Sequence, residues 1–423
     1  MPQILPFRGI RYTPAAGPLS DVLAPPYDVI SPAQQTALEA RSPYNAVRLE
    51  LASGGQERYS RVAGLIASWE SAGATKRDDI PMLYVYEQEF VEEGRRYTRR
   101  ALIAEVEAQP WEDGAIKPHE HTMSGPKEDR LKLLEATDVQ LSPVFMIARD
   151  RAGQLTQFLE ATIASRPPDV SGTSIDGDTH RLWVVEASRY EMRSIAPLLS
   201  ESFYIADGHH RYETAVNYKL RTLDREGALP RDHPARFAMT AIVAASDPGL
   251  VIRPIHRVVP RPAPADWRER LAPNFSVEPL ADSSPATLAA ALASHRDAIV
   301  ALGLDAGAAC VLKPLDGDVF ARLAPSGHSA EWAEVGPNLA RYGILAPLWG
   351  ITDDDLRAGA VEYSHDLDEV LDRAHDGACC LLLRPVSVEA VISLADKGER
   401  LPQKSTFFHP KLGTGLVFHP LKP

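Results

Sequence analysis

The stretch that most constrains this chain is a short apolar run followed by a glycine turn rich in ionisable residues. Residues 203–215 read Phe-Tyr-Ile-Ala-Asp-Gly-His-His-Arg-Tyr-Glu-Thr-Ala, which predicts a strand, a tight turn and the start of a helix. A helix N-terminus attracts anions, and Gly208 lets the backbone approach a ligand closely. Four ionisable side chains surround that point: Asp207, His209, His210 and Arg211. The pattern favours an anion-binding site. The alternative is a surface turn in which Asp207 caps the helix and Arg211 pairs with Glu213.

Composition and charge narrow the functional class. The 423 residues exceed what one hydrophobic core usually organises, so two or three domains are expected. A formal net charge of −12 argues against a nucleic-acid-binding surface, which needs a basic footprint. No segment has the pattern of a signal peptide or a membrane span, so we expect a cytoplasmic protein without a membrane partner. The 3 cysteines, Cys310, Cys379 and Cys380, lie in apolar runs and are expected to be buried thiols.

Helix-like and strand-like segments alternate along the chain, which predicts a mixed α/β fold. Ser31 and Gln34 have the spacing of a capping box, so a helix is expected to begin there. Residues 82–90 and 97–106 are strand-like on either side of a Glu-Glu-Gly turn, which predicts a hairpin. Further helices are expected at 62–73, 128–136, 187–199, 361–374 and 388–395, and further strands at 144–147, 181–186, 237–245 and 378–383.

The composition also suggests domain boundaries. Residues 166–177 are rich in Pro, Ser, Gly and Asp and predict a loop between domains. We expect four segments: an N-terminal α/β segment with the hairpin at 1–165, a core with the glycine turn at 178–260, a plastic α/β subdomain at 261–360, and a C-terminal segment at 361–423. The tail carries Phe407, Phe408 and further apolar residues, so it should pack back on the core rather than remain exposed. Lys404 and Lys411 on this tail could offer charges to a phosphate.

Two polar clusters near the start of the chain have both a functional and a structural interpretation. Residues 1–30 are rich in proline and read as extended, and two prolines before Tyr27 and Asp28 either present these side chains rigidly to a ligand or form a connector. Residues 45–50 alternate polar and apolar positions like a half-buried strand. That spacing would put Arg48 and Glu50 on one face, where they could pair with each other.

Two later clusters contain histidines. His119 and His121 would lie on the same side of an extended strand and could bind a metal, hydrogen-bond an anionic ligand, or only stabilise structure. A third metal ligand is not evident in the sequence. Residues 253–257, Arg-Pro-Ile-His-Arg, follow an apolar strand and read as a solvated strand end.

Motifs across the whole chain resemble the bacterial and archaeal domain of unknown function 1015 family. They are A-P-P-Y-D-V-I-S at 24–31, P-H-E-x-T at 118–122, D-G-H-H-R-Y-E-T-A at 207–215, P-x-H-R at 254–257 and P-Q-K-S-T-F-F-x-P-K-L-x-T-G-L at 402–416. The turn at 207–211 is also similar to the nucleotide-binding turn of ParB-like and sulfiredoxin-like domains, and one ParB-like branch, the free-serine kinases, phosphorylates L-serine. The resemblance implies a ParB-like nucleotide-binding core with additional mixed-sheet subdomains.

The resemblance and the residue types together predict a small-molecule phosphotransferase, a kinase that phosphorylates a hydroxyl such as that of free L-serine. It implies Mg²⁺ and ATP, ADP or pyrophosphate as phosphoryl donor. The catalytic candidates are Asp207, His209, His210, Asp28 and Glu50. The candidates for cofactor binding are Gly208, Arg211, His119, Lys404 and Arg257, and Asp207 is also the metal candidate. The rivals are a ParB-like nucleotide-binding regulatory or DNA-associated protein and a metal-dependent phosphatase. The oligomeric state stays open.

Overall fold

A long antiparallel hairpin organises the first half of the structure. Strands Met82–Glu92 and Arg95–Glu107 pair from Tyr84 opposite Ile103 to Glu92 opposite Arg95. The two residues between them, Glu93 and Gly94, have φ values of 46° and 73°. Two consecutive left-handed residues form the tight turn that matches the natural twist of a hairpin. The hairpin predicted from the sequence is therefore confirmed.

The protein is described here from a computed structural model, which covers residues 2–121, 124–188, 192–193, 195–196, 198, 201–295, 297–305 and 307–423. The chain forms two compact units. The first contains the described residues up to Pro118, those from 124 to Val251, and the tail Pro410–Pro423. The second contains His119–His121 and Ile252–His409. The predicted boundaries at 165, 260 and 360 stay predictions.

The first unit is built around a mixed nine-stranded sheet, counted over the described residues. Its strands, in spatial order, are Ile116–Lys117, Phe203–Asp207, Val144–Ala148, Phe237–Ala244, Arg95–Glu107, Met82–Glu92, Thr179–Glu186 and Val170–Thr173, with Ile4–Leu5 also paired to Arg95–Glu107. Neighbouring strands are antiparallel except for two parallel pairs, Phe203–Asp207 with Ile116–Lys117 and Phe237–Ala244 with Val144–Ala148. Two small ribbons pair Ile10–Tyr12 with Thr75–Arg77 and Val139–Gln140 with His419–Pro420.

Helices cover this sheet and complete its core. Their bounds are Leu19–Val22, Pro32–Arg41, Val47–Glu50, Glu57–Ser71, Ser124–Thr137, Gln154–Ser165 and His209–Glu226, with short 3₁₀ turns at Pro14–Ala16, Tyr27–Val29, Trp111–Asp113 and Pro234–Arg236. Buried residues from the sheet and from helices Gln154–Ser165 and His209–Glu226 form one apolar cluster, which includes Leu102, Phe203 and Tyr212. The predicted capping box is present, since Ser31 accepts from the Gln34 N–H and Gln34 accepts from the Ser31 N–H.

The second unit contains an antiparallel six-stranded sheet with an apolar cluster on each face. The strands, in spatial order, are Phe275–Pro279, Ala309–Pro314, Ile299–Leu302, Cys379–Leu382, His256–Val259 and Glu362–Ser364. Shorter strands lie at Val251–Arg253 and Phe407–His409. The helices are Trp267–Leu271, Pro285–Ser294, Asp318–Leu323, Ala330–Glu334, Gly336–Asn338, the π-helix Leu339–Leu345, Ala346–Trp349, Asp353–Arg357, Leu367–His375 and Val388–Asp396.

Four local predictions were wrong or incomplete. Residues 1–30, predicted to be extended, include the helix Leu19–Val22 and two 3₁₀ turns. The predicted loop 166–177 contains the strand Val170–Thr173, because its residues pair with Thr179–Glu186. The predicted helix 361–374 is divided into a strand and a helix that begins after Asp366, whose side chain accepts from the N–H groups of Asp368 and Glu369. Residues 45–50 form a turn of helix rather than a strand. The predicted helix at 187–199 lies largely outside the described residues.

Two expectations from composition can also be checked. All three cysteines are buried thiols without a disulfide, and burial raises the pKa of Cys310 and Cys379 to about 11. Across the part of the chain that the structure describes, no helix combines the length and the apolar composition that crossing a membrane requires.

Candidate active site

The glycine turn has the predicted strand–turn–helix geometry. Strand Phe203–Asp207 ends at Gly208, and helix His209–Glu226 begins at the next residue. Gly208 has a φ of +85°, which side chains strongly disfavour. A Cβ atom at this position would also lie 3.0 Å from the Arg211 guanidinium. Glycine is therefore required both by the backbone conformation and by the close approach of Arg211.

Asp207 holds two cations at this turn. Its Oδ2 accepts from Arg211 Nη2 at 2.6 Å, and its Oδ1 is bonded to Lys411 Nζ. All three side chains are largely buried, with 12–15% of each exposed. Burial alone would raise the pKa of the Asp207 carboxyl, but the charges of Lys411 and Arg211 outweigh burial and keep that pKa below its ordinary range. The surface-turn alternative paired Arg211 with Glu213, whereas the structure pairs Arg211 with Asp207.

Lys411 reaches Asp207 because buried polar groups of the hairpin hold the tail. Arg99 is 1% exposed and donates from Nη2 to the Pro410 carbonyl at 2.6 Å. Gln88 donates from Nε2 to the Lys411 carbonyl at 3.1 Å. From its sequence, Lys411 is predicted to offer a charge to a phosphate but is not among the predicted site residues. The available signal was a lysine within an apolar tail that must be buried.

Glu50 and Arg130 form the second charged group of the first unit. Glu50 is 3% exposed, and its Oε2 accepts from Arg130 Nη1 at 3.1 Å. The same Nη1 donates to the Glu50 carbonyl oxygen at 3.2 Å, so Arg130 holds both the backbone and the side chain of Glu50. Glu50 Oε1 is buried and has no hydrogen-bond partner among the described residues. The predicted pairing of Glu50 with Arg48 is wrong, because the helical turn directs Arg48 to the carbonyl oxygens of Glu39 and Ser42.

Arg130 is itself fixed by its surroundings. Its Nη2 donates to Asp129 Oδ2 at 2.5 Å, and its guanidinium carbon lies 4.3 Å from the centre of the Tyr27 ring. Asp129 also accepts from the Tyr59 hydroxyl at 2.8 Å and is bonded to Arg58. The charged side chains therefore alternate in sign from Arg58 to Glu50, and the carboxylate at the end of this series has an unengaged oxygen.

Glu50, Arg130 and Arg211 line one cavity. It is partly open to solvent and has a cavity volume of about 60 Å³, and one wall is apolar. Its lining residues are Tyr27, Glu50, Arg130, Leu133, Leu134, Val139, Gln140, Leu141, Ser142, Val144, Arg211 and Thr214. A neighbouring hollow with a cavity volume of about 380 Å³ shares Tyr27, Glu50, Arg130 and Leu133 with the first. A pocket with an apolar wall and a few convergent polar groups is typical of a small-molecule site.

The other predicted site residues are distributed over both units. In the first unit, His209 and His210 are the first two helical residues and are half-buried, and Asp28 is exposed. In the second unit, Arg257 is buried, whereas Lys404 is exposed with a φ of 59°. The candidate site of the first unit thus contains six of the predicted residues: Glu50, Asp207, Gly208, His209, His210 and Arg211.

The segment with the two histidines is held by a carboxylate of its own. Glu120 Oε1 accepts from the backbone N–H groups of Ser405 and Thr406 at 3.1 and 2.9 Å. His119 is 1% exposed, and its Nε2 lies 2.7 Å from the Thr406 hydroxyl. These contacts join the segment 119–121 to residues 401–406 within the second unit. They favour the structural interpretation of His119 over metal binding.

The described side chains do not fit a Mg²⁺ site at Asp207. Both oxygens of this carboxylate are already bonded to cations. No group of three or more His, Cys, Asp or Glu side chains could hold a metal ion within the described part of the chain. Metal binding by Asp207 stays a prediction that these contacts do not support.

Comparisons with known proteins found similar solved structures and a matching family. Among solved structures, the chain is similar to a conserved hypothetical protein from Pyrococcus furiosus (15% identity, TM-score 0.32, covering 70% of this chain and 90% of that chain). It is also similar to a free serine kinase variant in complex with ADP (12% identity, TM-score 0.35, covering 72% of this chain and 90% of that chain). A third similar structure is C-terminally truncated SbnI from Staphylococcus aureus (11% identity, TM-score 0.36, covering 75% of this chain and 87% of that chain). Likenesses this distant support no argument about site or substrate.

The comparison of sequences gives a firmer result. None of the curated proteins compared with the chain matches it. Residues 4–323 match the family described as "Protein of unknown function (DUF1015)". This match covers well over half of the chain, and it agrees with the motifs quoted from the sequence. The chain belongs to the DUF1015 family.

Proposed function

We propose that this protein is a phosphotransferase that moves a phosphoryl group from a nucleotide or pyrophosphate to a hydroxyl of a small molecule. The nucleotide-binding, ParB-like interpretation of the turn at 207–211 is part of this proposal, as is free L-serine as the acceptor. Phosphoryl transfer depends mainly on positioning and on neutralising charge, and a carboxylate commonly accepts the hydroxyl proton. The first unit contains both kinds of group next to one cavity.

The observation that carries the proposal is the state of Glu50. One of its oxygens is fixed by Arg130 at 3.1 Å, and the other is buried, unpartnered among the described residues and beside the cavity. A buried acceptor without a hydrogen bond is unfavourable, so its retention suggests a partner that arrives with a ligand. A substrate hydroxyl would supply that partner. As the hydroxyl oxygen attacks the phosphorus atom, Glu50 would accept the hydroxyl proton, and the bond from phosphorus to the bridging oxygen of the donor would break and release the shortened nucleotide or inorganic phosphate. Glu50 would later release the proton to water.

The cations of the same unit could neutralise the charge of the transferred phosphoryl group. Arg211 lines the cavity with Glu50 and lies in the first turn of the helix that starts at His209. In this role the Arg211 guanidinium and the helix N-terminus would bind phosphate oxygens, with Lys411 adding charge through its contact with Asp207. Asp207 would then act as a positioning residue, because it holds both cations in fixed orientations. The half-buried His209 and His210 stay candidates for phosphate contacts.

The test is a direct search for transfer by phosphorus NMR. The protein is incubated with Mg²⁺ and ATP, ADP or pyrophosphate, and with a panel of hydroxyl compounds in which L-serine comes first. A new phosphomonoester resonance identifies donor and acceptor together. Release of inorganic phosphate without an acceptor would indicate the phosphatase instead. Nucleotide binding without turnover would indicate the regulatory protein.

Glu50→Gln tests the assigned role. We expect turnover to fall roughly 10²–10⁴-fold, as for loss of a general base. Glu70→Gln, on the exposed side of helix Glu57–Ser71, is the matched control and should retain normal turnover. Near-normal turnover of the Glu50 variant would show that this carboxylate is not the base. No transfer with any donor by the unmodified protein would contradict the phosphotransferase itself.

A further inference from the structure

We propose that Arg257, in the second unit, binds an oxyanion of a ligand, either a phosphate group or a carboxylate. The residue belongs to strand His256–Val259 of the six-stranded sheet. It lies opposite Tyr363 on one neighbouring strand and opposite Leu381 on the other. This inference is independent of the proposed function, because it concerns a different unit and its test requires no turnover.

Arg257 is a buried charge that forms no ion pair with any residue the structure describes. The residue is 4% exposed, and its one hydrogen bond within the described chain runs from Nη1 to the carbonyl oxygen of Ile255. No carboxylate oxygen of the described residues lies within 4.0 Å of a guanidinium nitrogen of Arg257, the distance that defines a salt bridge. Its other contact is with the Tyr363 ring, whose centre lies 5.1 Å from the guanidinium carbon. The sequence had suggested a solvated strand end here, and that interpretation was wrong because the position is buried.

In lacking an ion pair among the described residues, Arg257 differs from another buried arginine of the second unit. Arg341, the other arginine buried in the second unit, donates to Asp353 at 3.0 Å. Glu120 acts on Arg257 electrostatically, but its Oε1 accepts from Ser405 and Thr406 instead. Glu120 thus partly offsets the charge of Arg257 but forms no ion pair with it among the described residues, and Arg257 keeps donors for another acceptor.

Burial of the Arg257 guanidinium with no ion pair among the described residues costs free energy. An ionised group taken out of water without a counter-charge is strongly destabilised. In agreement, burial lowers the pKa of Arg257 to about 10, against a smaller opposing effect of Tyr363 and Glu120. A cation–π contact compensates only part of such a cost. A bound oxyanion would compensate much more, since a guanidinium donates two parallel hydrogen bonds to a carboxylate or a phosphate.

The experiment measures how anions change the melting temperature of the full chain. All samples carry Arg211→Ala, so that an anion bound at the turn of the first unit does not contribute. Arg257→Met is compared with Arg261→Met, an exposed arginine of the same segment that loses the same charge. Inorganic phosphate and acetate are the probes, and sodium chloride at equal ionic strength controls for screening. The probe that raises the melting temperature identifies the kind of oxyanion.

An anion at tenfold its Kd should raise the melting temperature of the Arg261→Met protein by about 3–6 °C. The Arg257→Met protein should show no rise, and without anion it should melt no lower than the control, because a buried unpaired charge has been removed. Arg257→Lys, which keeps the charge, should retain part of the rise. Equal rises in both methionine variants, or no rise with either probe, would overturn the proposal. A lower melting temperature of Arg257→Met that no anion changes would assign the residue a purely structural role.

Discussion

At the scale of single residues, Asp207 is the charge on which the candidate site depends. Its two oxygens hold Arg211 and Lys411, and all three side chains are largely buried. Asp207→Asn should therefore remove the carboxylate that pairs with both buried cations and lower the free energy of unfolding by about 3–5 kcal/mol. Chemical denaturation at neutral pH measures this. Asp28→Asn, at an exposed position, is the control and should change stability little. A loss below about 1 kcal/mol would show that the ion pairs contribute little.

His180 gives the chain a second testable property, a loss of stability in acid. It is 2% exposed and hydrogen-bonded to the Tyr86 hydroxyl at 2.7 Å, and burial lowers its pKa from 6.5 to about 3. The unfolded chain therefore binds this proton more readily than the folded protein. The contribution of His180 to stability is complete above pH 6.5 and is lost as the pH falls towards 3.

His180→Gln removes the titration and keeps an acceptor for Tyr86. The difference in unfolding free energy between wild type and variant should shrink by about 2 kcal/mol from pH 7 to pH 5. Denaturation curves at several pH values give this difference directly. A difference that does not change with pH would mean that His180 is not kept neutral by burial.

At the scale of elements, the sequence predicted those whose signals are local. The Glu-Gly turn, the capping box at Ser31 and the strand before Gly208 all depend on residues within a few positions of one another. Residues 45–50 were predicted wrongly because their conformation depends on a distant segment. Asn45 donates to the carbonyl oxygens of Asp21 and Leu23 and accepts from the Val47 N–H, which stabilises one helical turn. That turn, rather than alternation along a strand, brings Glu50 to Arg130.

The glycine turn allows a test at this scale. Gly208→Ala combines a strained left-handed residue with a methyl group 3.0 Å from the Arg211 guanidinium. Gly227→Ala, at the other end of the same helix, has a φ of 75° but no atom within 4 Å of the new methyl group. Both variants should lose about 1–2 kcal/mol of stability from backbone strain. Only Gly208→Ala should weaken binding of a nucleotide or pyrophosphate, since only it displaces Arg211.

Calorimetric titration of both variants with ADP and with pyrophosphate measures the effect on binding. If the two variants bind equally well, the position of Arg211 does not determine donor affinity. That outcome would remove the turn from the proposed phosphate site while leaving the role of Glu50 open.

At the scale of the whole chain, sequence patterns predicted the mixed α/β class but not how the segments are distributed. The second unit takes three residues from the middle of the first half of the chain, His119–His121, and the first unit takes the last fourteen residues, Pro410–Pro423. Such exchanges are decided by contacts between distant residues, such as His419 Nε2 with Glu105 Oε2 at 2.8 Å. The tail was rightly expected to be packed, because Leu412, Leu416, Val417 and Phe418 are buried. Lys404 and Lys411, which look equivalent in the sequence, belong to different units.

These two lysines provide the last prediction. Lys411→Met should remove one of the two cations from Asp207. It should weaken binding of the phosphoryl donor, or stabilisation of the transition state, by about 1.5–3 kcal/mol. Lys404→Met removes the same charge from an exposed position and is the matched variant. If the sequence-based assignment of Lys404 to the site is right, its loss should weaken binding as well, without changing the melting temperature. Donor titration and melting curves on the same preparations distinguish the cases. Normal affinity in Lys411→Met would contradict a functional role for the tail in the first unit, and the buried apolar residues would then be its whole contribution.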